Sequence, residues 1–240
     1  MSLPDMDTLQ IRLAQLQQAL RARKIPVILL FEGFGAAGKG TVISHLMVNL
    51  DPRGFKVYST QPPSGDERHY PMMHRYWKCL PAQGQMAIFD RSWYREVTLA
   101  PLEEKLKKAE LERRYRIMED FEQMLAADGT VILKFFLDIT KKEQKARFKA
   151  LEKSKDTRWR VTAADWSHHE EYDRLRGYFD EAIARTDRPY APWYRIDAQD
   201  KKRALQQVYA RVLSALEDAL EKKAPGPVPG LAPLPTLPAR

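Results

Sequence analysis

The residues best equipped for chemistry are Gly33-Phe34-Gly35-Ala36-Ala37-Gly38-Lys39-Gly40-Thr41. They fit the spacing G-x-x-x-x-G-K, with Gly40 where the common phosphate-loop pattern has Ser or Thr, and Thr41 next. Lacking a Cβ, glycine lets successive backbone N–H groups curl around an anion. A helix beginning here presents its positive N-terminal end to the same anion. Lys39 adds a mobile charge for outer phosphate oxygens. Gly33, Gly38, Lys39, Gly40 and Thr41 are therefore candidate phosphate-binding residues. The bland alternative is a glycine-rich turn without a ligand. A second group is Ile88-Phe89-Asp90-Arg91-Ser92-Trp93-Tyr94. A carboxylate ending a buried strand beside a phosphate loop is where such folds hold Mg²⁺. Asp90 is thus the candidate metal ligand, and Arg91 the cation that neutralises a phosphoryl group in transit. Lys39, Asp90 and Arg91 form the candidate catalytic set.

These residues need elements to position them. Val27-Ile28-Leu29-Leu30-Phe31 is an all-apolar run before the glycines, the signature of a strand buried on both faces. Helical spacing follows from Thr41 to Leu50, so strand, turn and helix open a βαβ unit. Further strands are expected at 55–58, 86–89, 131–137 and 193–196, with helices at 103–127, 141–153, 165–185 and 201–222 between or after them. This alternation predicts an α/β fold with a mostly parallel central sheet. Residues 5–24 form an amphipathic helix through Met6, Leu9, Leu13, Leu16 and Leu20, which Pro26 stops. The stretch 141–188 is dense in Lys, Arg and Glu and reads as a helical lid. Residues 224–240 are Pro-rich and almost uncharged, which predicts a disordered or polyproline tail. The expected units are the N-terminal helix 1–24, a domain over 25–222 that includes the lid, and the tail 224–240.

Composition narrows the classes. The 240 residues suffice for one domain with an insertion, and 40 Lys and Arg against 32 Asp and Glu give a net charge of +8. That balance favours a polyanionic partner. The single cysteine, Cys79, rules out an intrachain disulfide framework and a Cys-rich zinc site, and makes a reducing, cytoplasmic setting the default. No apolar run approaches the roughly 20 residues that span a bilayer, so no membrane role is expected. His45, His168 and His169 lack partners at metal-ligand spacing and read as surface or core residues. Basic residues are interleaved with Glu and no helix-turn-helix, RRM or zinc pattern occurs, so nucleic acid is not an expected partner.

The chain resembles the polyphosphate kinase 2 family from about Val27 to Arg211. The resemblance rests on ordered stretches: Glu32-Gly33 through Gly40; Leu50-Asp51-Pro52-Arg53-Gly54-Phe55; Pro62-Pro63 with Glu67 and Arg75; and Phe89-Asp90-Arg91-Ser92-Trp93-Tyr94. Later come Lys134-Phe135-Phe136-Leu137, Arg147-Phe148, Trp159-Arg160 with Asp165, and Ala191-Pro192-Trp193. It implies a P-loop kinase-like three-layer sandwich with a helical lid. It also implies a Mg²⁺-dependent phosphotransferase acting between inorganic polyphosphate and a nucleoside mono- or diphosphate, working as a dimer or tetramer. Glu67 and Arg75 are the nucleotide-side candidates that it adds. Arg147, Arg158 and Arg160 are its candidates on the lid for the polyphosphate chain. One departure stands out: the family's loop usually carries an aspartate where this chain has Gly35. Two other readings remain open here, an ATP-dependent nucleoside monophosphate kinase and a catalytically depleted homologue that binds polyphosphate or nucleotide.

Overall fold

A computed structural model describes residues 5–223; the Pro-rich stretch 224–240 lies outside the described residues. In chain order the strands are β1 Val27–Gly33, β2 Phe55–Ser59, β3 Met86–Asp90, β4 Val131–Asp138 and β5 Trp193–Asp197. The helices are α1 Met6–Ala22, α2 Lys39–Met47, α3 His74–Trp77, α4 Arg95–Thr98, α5 Ala100–Glu103, α6 Lys108–Ala127, α7 Lys141–Lys153, α8 Ala163–Glu170, α9 Tyr172–Thr186 and α10 Lys201–Lys223. The five strands form one sheet in the order β2-β3-β1-β4-β5, and every pairing is parallel. All seven residues of β1 are buried, so helices cover both faces of the sheet. The expected α/β fold with a mostly parallel sheet is therefore what forms.

Chain order explains where a ligand can enter. β1 lies at the centre of the sheet, with β3 on one side and β4 on the other. The chain leaves β1 toward one edge and later crosses to the opposite edge, and in such sheets the crevice opens beyond the C-terminal strand ends. The glycine turn follows β1 there, and Asp90 ends β3 with Phe31 as its register partner.

Local chemistry fixes the remaining elements. Asp5 caps α1 by accepting from Thr8 N at 2.9 Å, and Leu9, Leu13, Leu16 and Leu20 are buried along one face. That face meets α10, where Arg12 pairs with Glu217 at 2.6 Å, so α1 shares the main core and is no separate arm. The segment expected to be a lid forms α7, α8 and α9. The sequence reads as one helix over 165–185, but two form, because the chain turns at Glu171. Thr162 and Asp165 close a capping box that starts α8. The helix expected from 103 begins only at Lys108, after Lys105 takes a left-handed φ of 51°.

Candidate functional site

The ends of β1 and β3 open into a cavity of about 830 Å³. Its floor is the turn itself, with Gly35, Ala36, Gly38, Lys39, Gly40 and Thr41. The turn holds its shape through two residues with positive φ, Ala36 at 60° and Gly38 at 106°. The second value lies where only glycine is comfortable, which accounts for Gly38. Gly33 serves differently from its expected role. It does not line the cavity; it pairs with Leu137 of β4 so closely that a Cβ would strike that residue's backbone. Gly33 is thus a packing requirement of the sheet.

Lys39 is buried, and its Nζ donates to the carbonyls of Gly33 at 3.0 Å and Phe34 at 3.1 Å. Burial, and then the Arg91 guanidinium, pull its pKa down to about 8, against partial support from Asp90, Glu32 and Asp165. The ammonium is folded back on its own loop, within reach of anything entering the cavity.

Asp90 and Arg91 also line the cavity, beside the end of β1. Arg91 has a φ of 60°, a conformation costing on the order of 1–3 kcal/mol for a non-glycine residue. Its N–H donates to Phe31 O at 3.0 Å, and the next residue is pinned by Glu32. The carboxylate of Glu32 accepts from Ser92 N at 2.7 Å and from Ser92 Oγ at 2.8 Å. Glu32 is buried, and burial raises its pKa. It does not line the cavity; it holds the turn that presents Asp90 and Arg91.

The basic lid residues divide. Arg160 lines the cavity beside the exposed Trp159 and stacks its guanidinium 5.2 Å from that ring's centroid. Arg147 also lines the cavity, where its guanidinium is engaged as a backbone clamp. Its Nη1 donates to Ala36 O and Ala37 O, its Nη2 to Ala198 O and Gln199 O, and its Nε to Glu143. Every N–H direction is thereby engaged, so Arg147 holds the glycine turn to the end of β5 and leaves no free fork for phosphate. Arg158 does not line the cavity. Glu67 and Arg75 pair with each other at 3.5 Å away from the floor. Arg75 touches the site only indirectly, by donating to the carbonyl of Gln61, a lining residue.

Four lining residues carry no expected site role: Asp165 and Lys201, which belong to stretches of the family resemblance, and Gln61 and Ser59. Lys201 begins α10, and the fold brings it to the cavity. The two adjacent histidines of α8 also gain roles. His169 Nδ1 lies 2.8 Å from Gln144 Oε1, and Gln144 Nε2 donates to Gly35 O at 3.2 Å, so α8 reaches the turn through α7. His168 meets Glu103 of α5 at 3.2 Å. Among the described residues no group of three or more His, Cys, Asp and Glu side chains could hold a metal by itself, and no helix is long and apolar enough to cross a membrane.

Known proteins resemble this chain in sequence and fold. The family model described as polyphosphate kinase 2 matches residues 4–224. A polyphosphate:AMP phosphotransferase of Pseudomonas aeruginosa is 35% identical over 227 residues, which is 91% of this chain and 46% of that protein. An ADP-polyphosphate phosphotransferase of Rhodopseudomonas palustris is 33% identical over 230 residues, 89% of this chain and 80% of its own length. The crystal structure of polyphosphate kinase 2 from Arthrobacter aurescens superposes with a TM-score of 0.85 at 31% identity, covering 89% of this chain and 77% of that one. The chain spans less than half the length of the polyphosphate:AMP phosphotransferases that it matches. Since the family model covers every described residue and the superposition extends over the same fold, this chain belongs to the polyphosphate kinase 2 family.

Proposed function

We propose that the chain moves a phosphoryl group between inorganic polyphosphate and a nucleoside mono- or diphosphate, with Mg²⁺ as the accompanying ion. The observation that carries this reading is the convergence of Lys39, Asp90 and Arg91 on one cavity at the C-terminal ends of β1 and β3. The names of the relatives point the same way, being phosphotransferases between polyphosphate and AMP or ADP.

Toward nucleotide, the P–O bond between the terminal phosphoryl group and the rest of the polyphosphate breaks. A P–O bond to an oxygen of the nucleotide's terminal phosphate forms. The shortened polyphosphate keeps the bridging oxygen and its electron pair. The attacking oxygen is already anionic near neutral pH, since such phosphates lose their second proton near pH 6. No side chain has to remove a proton, so Gly35 deprives the site of no obligatory base. What the protein must supply is position and charge neutralisation. Lys39 and the turn's N–H groups hold phosphates on the floor, Arg91 meets charge from the sheet side, and Arg160 and Lys201 meet it from the rim. Mg²⁺ is ordinarily held by one or two carboxylates together with substrate phosphates, and Asp90 fits that pattern. When bound, the ion neutralises phosphoryl oxygens. A homo-oligomer is part of this reading, and the exposed Ile11 and Val48 offer apolar surface for it.

The test supplies AMP or ADP with Mg²⁺ and either polyphosphate or ATP as sole donor. Formation of ADP or ATP from polyphosphate is expected. Turnover with ATP and a nucleoside monophosphate, but none with polyphosphate, would reject the proposal.

A further inference from the structure

The glycine turn is shaped by donors that act on its carbonyls. Lys39 Nζ holds those of Gly33 and Phe34, Gln144 Nε2 that of Gly35 at 3.2 Å, and Arg147 Nη1 those of Ala36 at 3.1 Å and Ala37 at 3.3 Å. Val42 N takes the carbonyl of Gly38 at 3.0 Å as α2 begins. In a trans peptide the N–H points opposite to the C=O. Fixing the carbonyls of Gly35 and Ala37 toward α7 therefore turns the N–H groups of Ala36 and Gly38 away from it, and both residues line the cavity. The intervening N–H, that of Ala37, is occupied within the turn by Phe34 O at 3.2 Å. With Ala36 and Gly38 both at positive φ, the backbone forms a concavity of the kind that receives anions.

The orientation of Gln144 is itself forced. A carbonyl can only accept, so Gln144 presents Nε2 to Gly35 O and Oε1 to the other side, where His169 Nδ1 lies 2.8 Å away. An acceptor at that distance requires the hydrogen on Nδ1. His169 is buried, with the Trp166 and Phe148 rings centred 5.6 Å and 6.1 Å from its own. Burial, and then the charges of Lys141 and Lys145, lower its pKa, so the ring is neutral near neutral pH and its one hydrogen sits on Nδ1. We propose that His169, as the Nδ1–H tautomer, is a positioning residue for phosphate transfer: through Gln144 it fixes the Gly35 carbonyl and thereby aims the Ala36 N–H at the phosphates. Helix α8 thus shapes the anion site through a side chain that does not itself touch the anion. The inference rests on the phosphate-transfer reading of this cavity.

The test uses the full chain as wild type, His169→Asn, His169→Phe, Gln144→Met and the double variant of the last two. Calorimetry follows tripolyphosphate binding, with turnover from polyphosphate alongside, and ¹⁵N NMR reads the tautomer of His169 in the wild type. Asn places an amide N–H near the position of Nδ1, whereas Phe keeps the ring packing and removes the donor. His169→Phe and Gln144→Met should each weaken tripolyphosphate binding by about tenfold, as for one lost hydrogen bond to a charged group. The double variant should be no worse than either, because both changes act on the same carbonyl. His169→Asn should keep most of the affinity, and the ¹⁵N shifts should place the hydrogen on Nδ1. Wild-type affinity in Gln144→Met overturns the proposal. So does His169→Asn binding as weakly as His169→Phe, additive losses in the double variant, or a hydrogen on Nε2. If tripolyphosphate binding follows the expected pattern while no protein transfers from polyphosphate, the inference stands and the transfer reading falls.

Discussion

At the residue scale the site depends on charges kept in place by backbone and burial. Lys39 has a folded pKa of about 8, below its unfolded value of 10.5. Between these values the unfolded chain holds the extra proton, so this group makes the free protein more stable as pH rises from about 8 toward 10.5. A bound phosphate restores the charge, so polyphosphate binding should take up a proton above pH 8 and weaken as pH climbs. Calorimetry in buffers of different ionisation enthalpy reads that proton directly. Glu32 and Asp90 should separate cleanly. Glu32→Gln keeps the oxygen that accepts from Ser92 and should retain most turnover, whereas Asp90→Asn should lose about 10²-fold or more. Equal losses in steady-state rates would place Glu32 in the chemistry. Sequence spacing was enough to mark Lys39, Asp90 and Arg91. It could not place Asp165 at the cavity or reveal that Arg147 is a clamp, because those facts depend on which carbonyls and which turn the helices meet.

At the element scale, one buried pair ties the sheet to the helices behind the site. Lys134 of β4 is fully buried and donates to Glu122 of α6 at 2.7 Å, to Tyr94 Oη at 2.9 Å and to Thr186 O at 2.7 Å. Burial lowers its pKa and Glu122 opposes that shift. The pair thus joins β4, α6, the residue before α4 and the last residue of α9. Lys134→Met should cost about 3–5 kcal/mol, because it leaves Glu122 buried without its cation, and adding Glu122→Gln should recover part of it. Urea unfolding of both variants measures the difference; a single variant as stable as wild type would contradict this view of the joint. The apolar runs of β1 and β4 were legible because strands buried on both faces leave little room for polar residues. The break at Glu171 and the short α3, α4 and α5 were not, since four-residue helices have no periodicity to read and are set by contacts distant in sequence.

At the scale of the whole molecule, the net charge of +8 becomes specific only where the fold gathers it. Many arginines are committed to ion pairs with Glu or Asp elsewhere, as Arg113 is with Glu110 on α6. Lys39, Arg91, Arg160 and Lys201 line one cavity. Polyphosphate affinity should therefore fall steeply with added KCl, and Arg160→Ala should reduce the log–log slope by about one, as for a lost phosphate contact, while Arg113→Ala leaves it unchanged. Composition could suggest a polyanionic partner, but not which of 40 basic residues would meet it. The most direct measurement of the central claim is polyphosphate affinity and phosphoryl transfer in Lys39→Met, a change that keeps an unbranched side chain of nearly the same length and removes its charge. A loss of about 10²-fold or more in transfer, with weakened binding and an intact fold, is the expected result. Full affinity and full transfer in that variant would mean that the turn after β1 is not where the phosphates are held.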